Sequence, residues 1–357
     1  MTRFRRRSAA AVLASGTMLL TGLGGSLAAG SPAGAAVREG SRAVKTVHIA
    51  MFGYNTTPYS IAALDATKAA AKRYGATVTF FNSNSSATTQ ATQMRDAIQT
   101  GSYQAFWVWA NDSVALEPIV RQAQKAGIEV ATADATLGTL AQSAQIQAVP
   151  GVTVAIGVGL LQEAEVAVST IESACTAQVG PHKPCHVALM PGFDNFPPDV
   201  YRLGYMVPKL KATGYITTSM MPQGQYSTPG AQQSTLNFYQ TQPKVNVIYT
   251  FADQMVAGIL TALKQQHLTP GKDVKLIGFG ATTEAVQGIK SGQWYASQGL
   301  YPATESQLAV QYLTAAVHGK KVPRVVNVYN VPGALPVIDK AILRKDRKFQ
   351  PNWSYGG

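Results

Sequence analysis

From Thr46 onward the chain alternates two kinds of segment, and that alternation limits the fold more than any single motif. Short β-branched or aromatic runs such as "VHIAMF", "TVTFF", "QAFWVWA" and "IEVATA" are separated by longer stretches of helical character, "SIAALDATKAAAKRYG", "TTQATQMRDAIQTG" and "SVALEPIVRQAQKAG". Strand and helix in regular succession imply right-handed crossovers and a mostly parallel sheet covered on both faces. Gly75, Gly101 and Gly127 fall where those helices should stop. The pattern starts afresh after Gln147–Gly151, with a helix near Val154–Ser173, then "HVALM", "VYRLGYMVPKLKATG", "ITTSMM", "GAQQSTLNFYQTQ", "NVIYTF", "QMVAGILTALKQQ" and "VKLIGF". The reading is α/β with two lobes. Residues 45–147 plus 302–328 form the first, 148–301 plus 329–345 the second, and 346–357 a basic tail. The late pieces "ATESQLAVQYLTAAVHG" and "RVVNVYN" are too few to make a domain and are expected to complete the first lobe, with several crossings between lobes.

At 357 residues, 46% hydrophobic and 13% charged, the chain can bury two cores and is neither disordered nor fibrous. The formal charge of +12 does not describe a basic groove. Arg3, Arg5, Arg6 and Arg7 open the chain, while Lys340, Arg344, Lys345, Arg347 and Lys348 crowd its end. The middle carries little net charge, so nucleic acid is not an expected partner.

The opening "MTRFRRRSAAAVLASGTMLLTGLGGSLAAGSPAGAAV" runs from cationic to apolar to small residues, the order of a secretory signal. Cleavage is expected near Ala35 or Ala36, giving a signal over residues 1–36 and an extracytoplasmic protein, whether periplasmic, cell-surface or secreted. The apolar run Ala9–Leu20 is shorter than the roughly 20 residues that span a bilayer. Arg5-Arg6-Arg7 also suits a twin-arginine route. Neither cysteine is near the cleavage position, so no lipid anchor is expected there.

Those cysteines, Cys175 and Cys185, flank the turn "TAQVGPHKP". In an oxidising compartment two close thiols pair, so a disulfide is the first reading. A metal site with His182 and His186 is the alternative, against which stands the absence of the tight paired spacings zinc prefers. No cofactor is called for. Catalysis finds no G-x-S-x-G elbow, H-E-x-x-H or phosphate-cradling loop. "GVGLLQ" from Gly157 lacks the third glycine of a dinucleotide fingerprint and reads as helix-start packing. A secreted hydrolase is the lesser alternative, since triads are assembled in space rather than sequence.

In open parallel sheets, ligands collect beyond the carboxyl ends of strands. "VHIAMFGYNTTPYS", Val47–Ser60, is such a place: a greasy strand opens into a loop where Tyr54, Asn55, Thr57 and Tyr59 offer faces and hydrogen bonds.

The run "QMRDAIQTGSYQAFWVWANDSVALEPIVRQAQKAGIEVATAD", with "TPYS" before it and "IGFG" after it, resembles the ribose-type solute-binding proteins, the type I periplasmic binding proteins that feed ABC transporters. The resemblance covers roughly Val44–Leu343 and rests on order and spacing. It implies two Rossmann-like lobes with parallel sheets joined by a three-stranded hinge, and a monomer that closes over a small molecule and docks on a membrane permease. A ligand-sensing subunit for a receptor would need the same closure. Repressors of the lactose type share the core but not a signal peptide.

By that resemblance Tyr59 is a stacking residue, Thr57 stands where an asparagine is usual, and Asp134 is the carboxylate that grips hydroxyls, with Ala135 in place of an arginine. Tyr226 falls beside a second-lobe aromatic position, and Phe279 matches the phenylalanine of "GFD", whose aspartate is here Gly280. Asp199 falls at an arginine position, and Ala252 replaces the asparagine before Asp253, a residue that also reads as a helix cap. A glutamine position near the last hinge reads Leu300 or Gln298. Trp109 and Phe193 complete the aromatic supply at strand ends. With so many charged positions replaced, the chain is not a ribose binder by sequence, and a sugar-like or less polar ligand held between aromatic faces is expected.

Overall fold

The computed structural model describes residues 46–54, 57–134, 137–139, 144–241 and 244–356. Residues 1–36, read from sequence as a secretory signal, Asn55 and Ala135 lie outside the described residues.

Val47–Gly53 (β1) is buried except at His48, the signature of a strand covered on both faces. Parallel neighbours flank it on either side: Ala76–Asn82 (β2) and Ala105–Val108 (β3), with Glu129–Ala133 (β4), Val154–Gly157 (β5) and Val325–Asn327 (β11) beyond β3. The order is β11-β5-β4-β3-β1-β2. Helices Pro58–Tyr74 (α1), Ala87–Thr100 (α2) and Glu117–Lys125 (α3) follow the first three strands. A capping box starts α1: Thr57 Oγ1 accepts from the Ser60 N–H at 3.2 Å and Ser60 Oγ accepts from the Thr57 N–H at 3.0 Å. Gly75 ends α1 in the left-handed region at φ 68°.

The second sheet repeats the plan with Cys185–Met190 (β6), Ile216–Met220 (β7), Val247–Thr250 (β8), Lys275–Gly280 (β9), Ala296–Gly299 (β10) and Val337–Asp339 (β12). Its order is β12-β10-β9-β8-β6-β7, parallel except for β12 against β10. Leu160–Val179 (α4), Pro197–Ala212 (α5), Thr228–Tyr239 (α6), Asp253–Gln265 (α7) and Thr283–Ser291 (α8) belong to this half. Pro302–Val317 (α9) returns to pack on α1, β3, β4 and β5 of the first sheet, and Lys340–Lys345 (α10) follows β12.

Two expectations are corrected. The helix expected near Val154–Ser173 begins instead as β5, whose four residues are all buried, and the helix proper starts only at Leu160. A short apolar run does not reveal by periodicity whether it is strand or helix. Since β5 pairs with β4, the chain leaves the first sheet after Gly157 rather than near Gln147. The last stretch, set apart as a basic tail, is not simply solvated: Phe349 and Trp353 are buried.

The chain passes between the sheets three times, at Val158–Gly159, at Leu300–Tyr301 and after β11 through a 3-10 turn at Val328–Asn330. Buried polar groups lace these passages together. Gln298 Nε2 donates to the Glu163 carbonyl at 3.0 Å, and the Tyr329 hydroxyl donates to the Gly299 carbonyl at 3.0 Å. Cys175, inside α4, and Cys185, the first residue of β6, form a disulfide. Among the described residues no helix is long and apolar enough to cross a membrane.

Candidate functional site

The carboxyl ends of the parallel strands gather a set of polar and aromatic side chains. In the first half, Tyr54 follows β1, Tyr59 lies in the first turn of α1, Trp109 follows β3 and Asp134 follows β4. The Trp109 ring packs 4.6 Å from Tyr54 and 4.8 Å from Tyr59, centroid to centroid. Its indole N–H donates to Asp134 Oδ2 at 2.9 Å. The Tyr59 hydroxyl donates to Glu305 Oε2 at 3.1 Å, which ties α1 to α9. Asp134 adopts φ 60°, a left-handed conformation uncommon for a side chain-bearing residue and tolerated best by Asn and Asp.

In the second half, Asp199 sits fully buried in the first turn of α5. Its Oδ2 accepts from the Gly192 and Phe193 N–H groups at 2.9 and 3.2 Å, and its Oδ1 accepts from the Tyr226 hydroxyl at 2.6 Å. Arg202 lies one helical turn on. Its Nη1 donates to Asp199 Oδ1 at 3.2 Å, and its Nε and Nη2 reach Glu163 Oε2 at 2.8 and 2.7 Å. The guanidinium also faces the rings of Phe279 at 5.3 Å and Phe251 at 5.6 Å. Phe193 is exposed, with its ring 5.6 Å from that of Tyr226.

Three carboxylates, Asp134, Glu163 and Asp199, thus feel the charge of a single guanidinium, that of Arg202. Burial raises the Asp134 carboxyl above its ordinary range, while the charge of Arg202 and the hydrogen bonds from Trp109 and Tyr59 pull it back. Glu163 and Asp199 are raised by burial and opposed by Arg202 in the same way. Glu305 lies near the acids Asp134 and Glu163 and accepts from the Tyr59 hydroxyl. Burial and then the Asp134 charge push it well up. Burial would by itself lower Arg202, but the carboxylates of Glu163 and Asp199 outweigh it and hold the guanidinium charged. The fork of Arg202 is consumed by these acids.

The structure therefore brings Tyr54, Tyr59, Trp109 and Asp134 together at one sheet, and Phe193, Asp199, Tyr226 and Phe279 together at the other. Thr57 and Asp253 take other work. The hydroxyl of Thr57 is committed to capping α1. Asp253 is fully buried, its Oδ2 accepting from the Thr282 N–H and hydroxyl at 3.0 and 2.9 Å and its Oδ1 from the Ser297 hydroxyl at 2.8 Å. It joins the loops after β8 and β9. Gln298 is likewise internal, accepting from the Tyr249 hydroxyl at 3.0 Å. Sequence reasoning missed Arg202, Glu163 and Glu305. The i, i+3 spacing of Asp199 and Arg202 on one helical face was the one legible hint. The other two pairings join residues 39 and 246 positions apart.

Comparison with known proteins accords with this geometry. Residues 49–321 match the family model described as a periplasmic binding protein domain. The ribose import binding protein of Bacillus subtilis (strain 168) is 29% identical over 91 residues, a stretch covering 26% of this chain and only 28% of that protein. A Mycobacterium smegmatis protein in complex with β-D-fucofuranose has a TM-score of 0.70 at 18% identity, covering 84% of this chain and 93% of that one. A periplasmic solute binding protein of an ABC transporter from Actinobacillus succinogenes, with bound D-allose, has a TM-score of 0.70 at 20% identity, covering 84% and 100%. A Bacillus halodurans solute binding protein with bound myo-inositol has a TM-score of 0.72 at 15% identity, covering 85% and 98%. At such identities these likenesses speak for the fold. The Actinobacillus succinogenes and Bacillus halodurans proteins are solute binding proteins of ABC transporters. With the family match running through most of both sheets, this chain belongs to the periplasmic binding protein family and has its two-lobed type I fold.

Proposed function

We propose that the protein is exported by cleavage near Ala35 or Ala36, captures a small hydroxylated molecule in the cleft between its lobes, and delivers it as a monomer to the permease of an ABC importer. The observation that carries this reading is the placement of aromatic faces and carboxylates at the carboxyl ends of both sheets, Trp109 with half-buried Asp134 on one side and Tyr226 with buried Asp199 on the other. The ligand-binding set is Tyr54, Tyr59, Trp109 and Asp134 from the first lobe with Phe193, Tyr226 and Phe279 from the second. Asp199 and Arg202 hold Tyr226 and the second-lobe wall in position. Because Arg202 is already paired, the site offers acceptors more than donors, which suits a ligand rich in hydroxyls. The sugars and polyols held by the similar proteins support the same class.

Contacts from both lobes would favour the closed arrangement, so binding is a population shift set by the ligand's differential affinity. Mass spectrometry of molecules released from the purified protein, followed by thermal-shift screening of sugars and polyols, tests this. A true ligand at a hundred times its Kd adds about 2.7 kcal/mol, a rise of roughly 4 °C in Tm. No shift across the panel, or turnover of a panel member, would contradict the reading.

A further inference from the structure

The stretch after α10 bonds to both halves at the end where the proposed cleft lies. Asn352 Oδ1 accepts from the Ala303 and Thr304 N–H groups at 2.8 and 3.3 Å, two of the unpaired donors at the start of α9, and its Nδ2 donates to Thr304 Oγ1 at 2.9 Å. On the second-lobe side the Trp353 carbonyl accepts from the Thr283 N–H at 3.1 Å, at the start of α8. Between these anchors the Trp353 indole N–H is shared by the Gly280 carbonyl at 2.9 Å, ending β9, and the Leu300 carbonyl at 3.0 Å, at the middle passage. The indole edge meets the Tyr59 ring at 5.6 Å and 89°.

Position 280 has no room for a side chain of its own. A Cβ there would stand 2.5 Å from Asp253 Oδ2 and 3.0 Å from Trp353 Cζ2. The Asp253 carboxylate and the Trp353 indole together fill that space. Tyr54, Trp109, Tyr59 and Trp353 then form one row of touching rings, running from the first sheet to the carboxyl edge of the second.

Resting on the capture reading above, we infer that Trp353 is a specificity-determining residue of the cleft, carried into it by the C-terminal segment, and that its indole limits the ligand to about the size of a single sugar ring. A Trp side chain is a rigid apolar wall, and removing it opens a volume that a larger guest can enter.

The test is isothermal titration calorimetry of wild type, Trp353→Ala and Trp353→Phe with D-arabinose, D-allose, myo-inositol and the disaccharide cellobiose, circular dichroism checking that each variant is folded. Wild type should prefer its best single-ring probe over cellobiose. Trp353→Ala should shrink that preference by about ten-fold or more, while Trp353→Phe, which keeps a ring but loses the N–H, should stay within about three-fold of wild type. An unchanged preference in Trp353→Ala, or equal weakening toward every probe, overturns the inference while leaving capture intact. A wild type that binds none of the probes overturns the sugar-capture reading and the inference together. Should Trp353→Ala fail to fold, the comparison passes to Trp353→Leu, for which the same shrinkage is expected and the same constancy would refute.

Discussion

Asp253 is a carboxylate whose surroundings make its charge costly. Burial raises its pKa to about 6, although the N–H and hydroxyl of Thr282 and the hydroxyl of Ser297 all bond it. An unfolded Asp titrates near 3.9, so between roughly pH 4 and 6 the folded chain holds a proton that the unfolded chain has released. Stability from this group is therefore full below that window and falls as pH rises through it, by about 3 kcal/mol in all. Urea midpoints from pH 4 to 6 should fall more steeply in wild type than in Asp253→Asn. Glu163, Asp199 and Glu305 are raised too and leave part of the trend in the variant. Parallel curves would show that Asp253 titrates as it does in water. Arg202 is the opposite case, a buried cation held by two acids. Arg202→Met leaves Glu163 and Asp199 uncompensated and should cost about 3–5 kcal/mol. Adding Glu163→Gln should recover part of that loss, because one of the stranded charges is then gone. A double variant no more stable than the single would show that the charge balance matters less than the packing of the guanidinium on Phe279 and Phe251.

At the scale of elements, the disulfide joins the body of α4 to the start of β6 across 10 residues of sequence. Closing that loop restricts the unfolded chain, so replacing both buried cysteines with alanine should lower stability by about 2–3 kcal/mol, read as a shift of the urea midpoint with little change in its slope. A loss under about 0.5 kcal/mol would mean that the unfolded chain is already constrained there. The loop after β9 makes a second case. Ala281 is buried at φ 50°, a conformation that disfavours a Cβ. Ala281→Gly relieves that backbone cost of about 1 kcal/mol but frees the unfolded chain by a similar amount, so the Tm should move by less than about 3 °C. The elements themselves were mostly legible: α1 and α2 end at the glycines expected to stop them, while α3 starts at Glu117, four residues after the start of its pattern, and ends with Ala126 as its cap, one residue before Gly127. β5 was not, because "VAIG" is too short and too uniformly apolar for its period to declare itself.

Over the whole molecule, three passages joined by Gln298 and Tyr329 give the two sheets one place to pivot. Small-angle scattering should report a smaller radius of gyration when a ligand from the screen is added, since a guest touching both lobes favours the closed arrangement. A Tm that rises with no change in scattering would point to binding without closure. The same lacing predicts that Gln298→Ala, which strands the Tyr249 hydroxyl, weakens the fold by about 1–3 kcal/mol.

Alternation of strand and helix in the chain dictated two mostly parallel sheets, and the small and aromatic residues of "GYNTTPYS" marked one end of one of them as a place for ligands. Local periods and turn residues act over a few positions, so they survive in a linear reading. What surrounds Asp134 does not, because Trp109 and Glu305 reach that neighbourhood from strands and helices far along the chain. Asp253 looked like a ligand group or a helix cap in sequence, and only the approach of the β9 loop made it an internal brace. Trp353 stands in a stretch that composition marks as a charged end. Its burial beside Gly280 was decided by tertiary packing, where a missing side chain on one strand leaves room for a ring brought from 73 residues away.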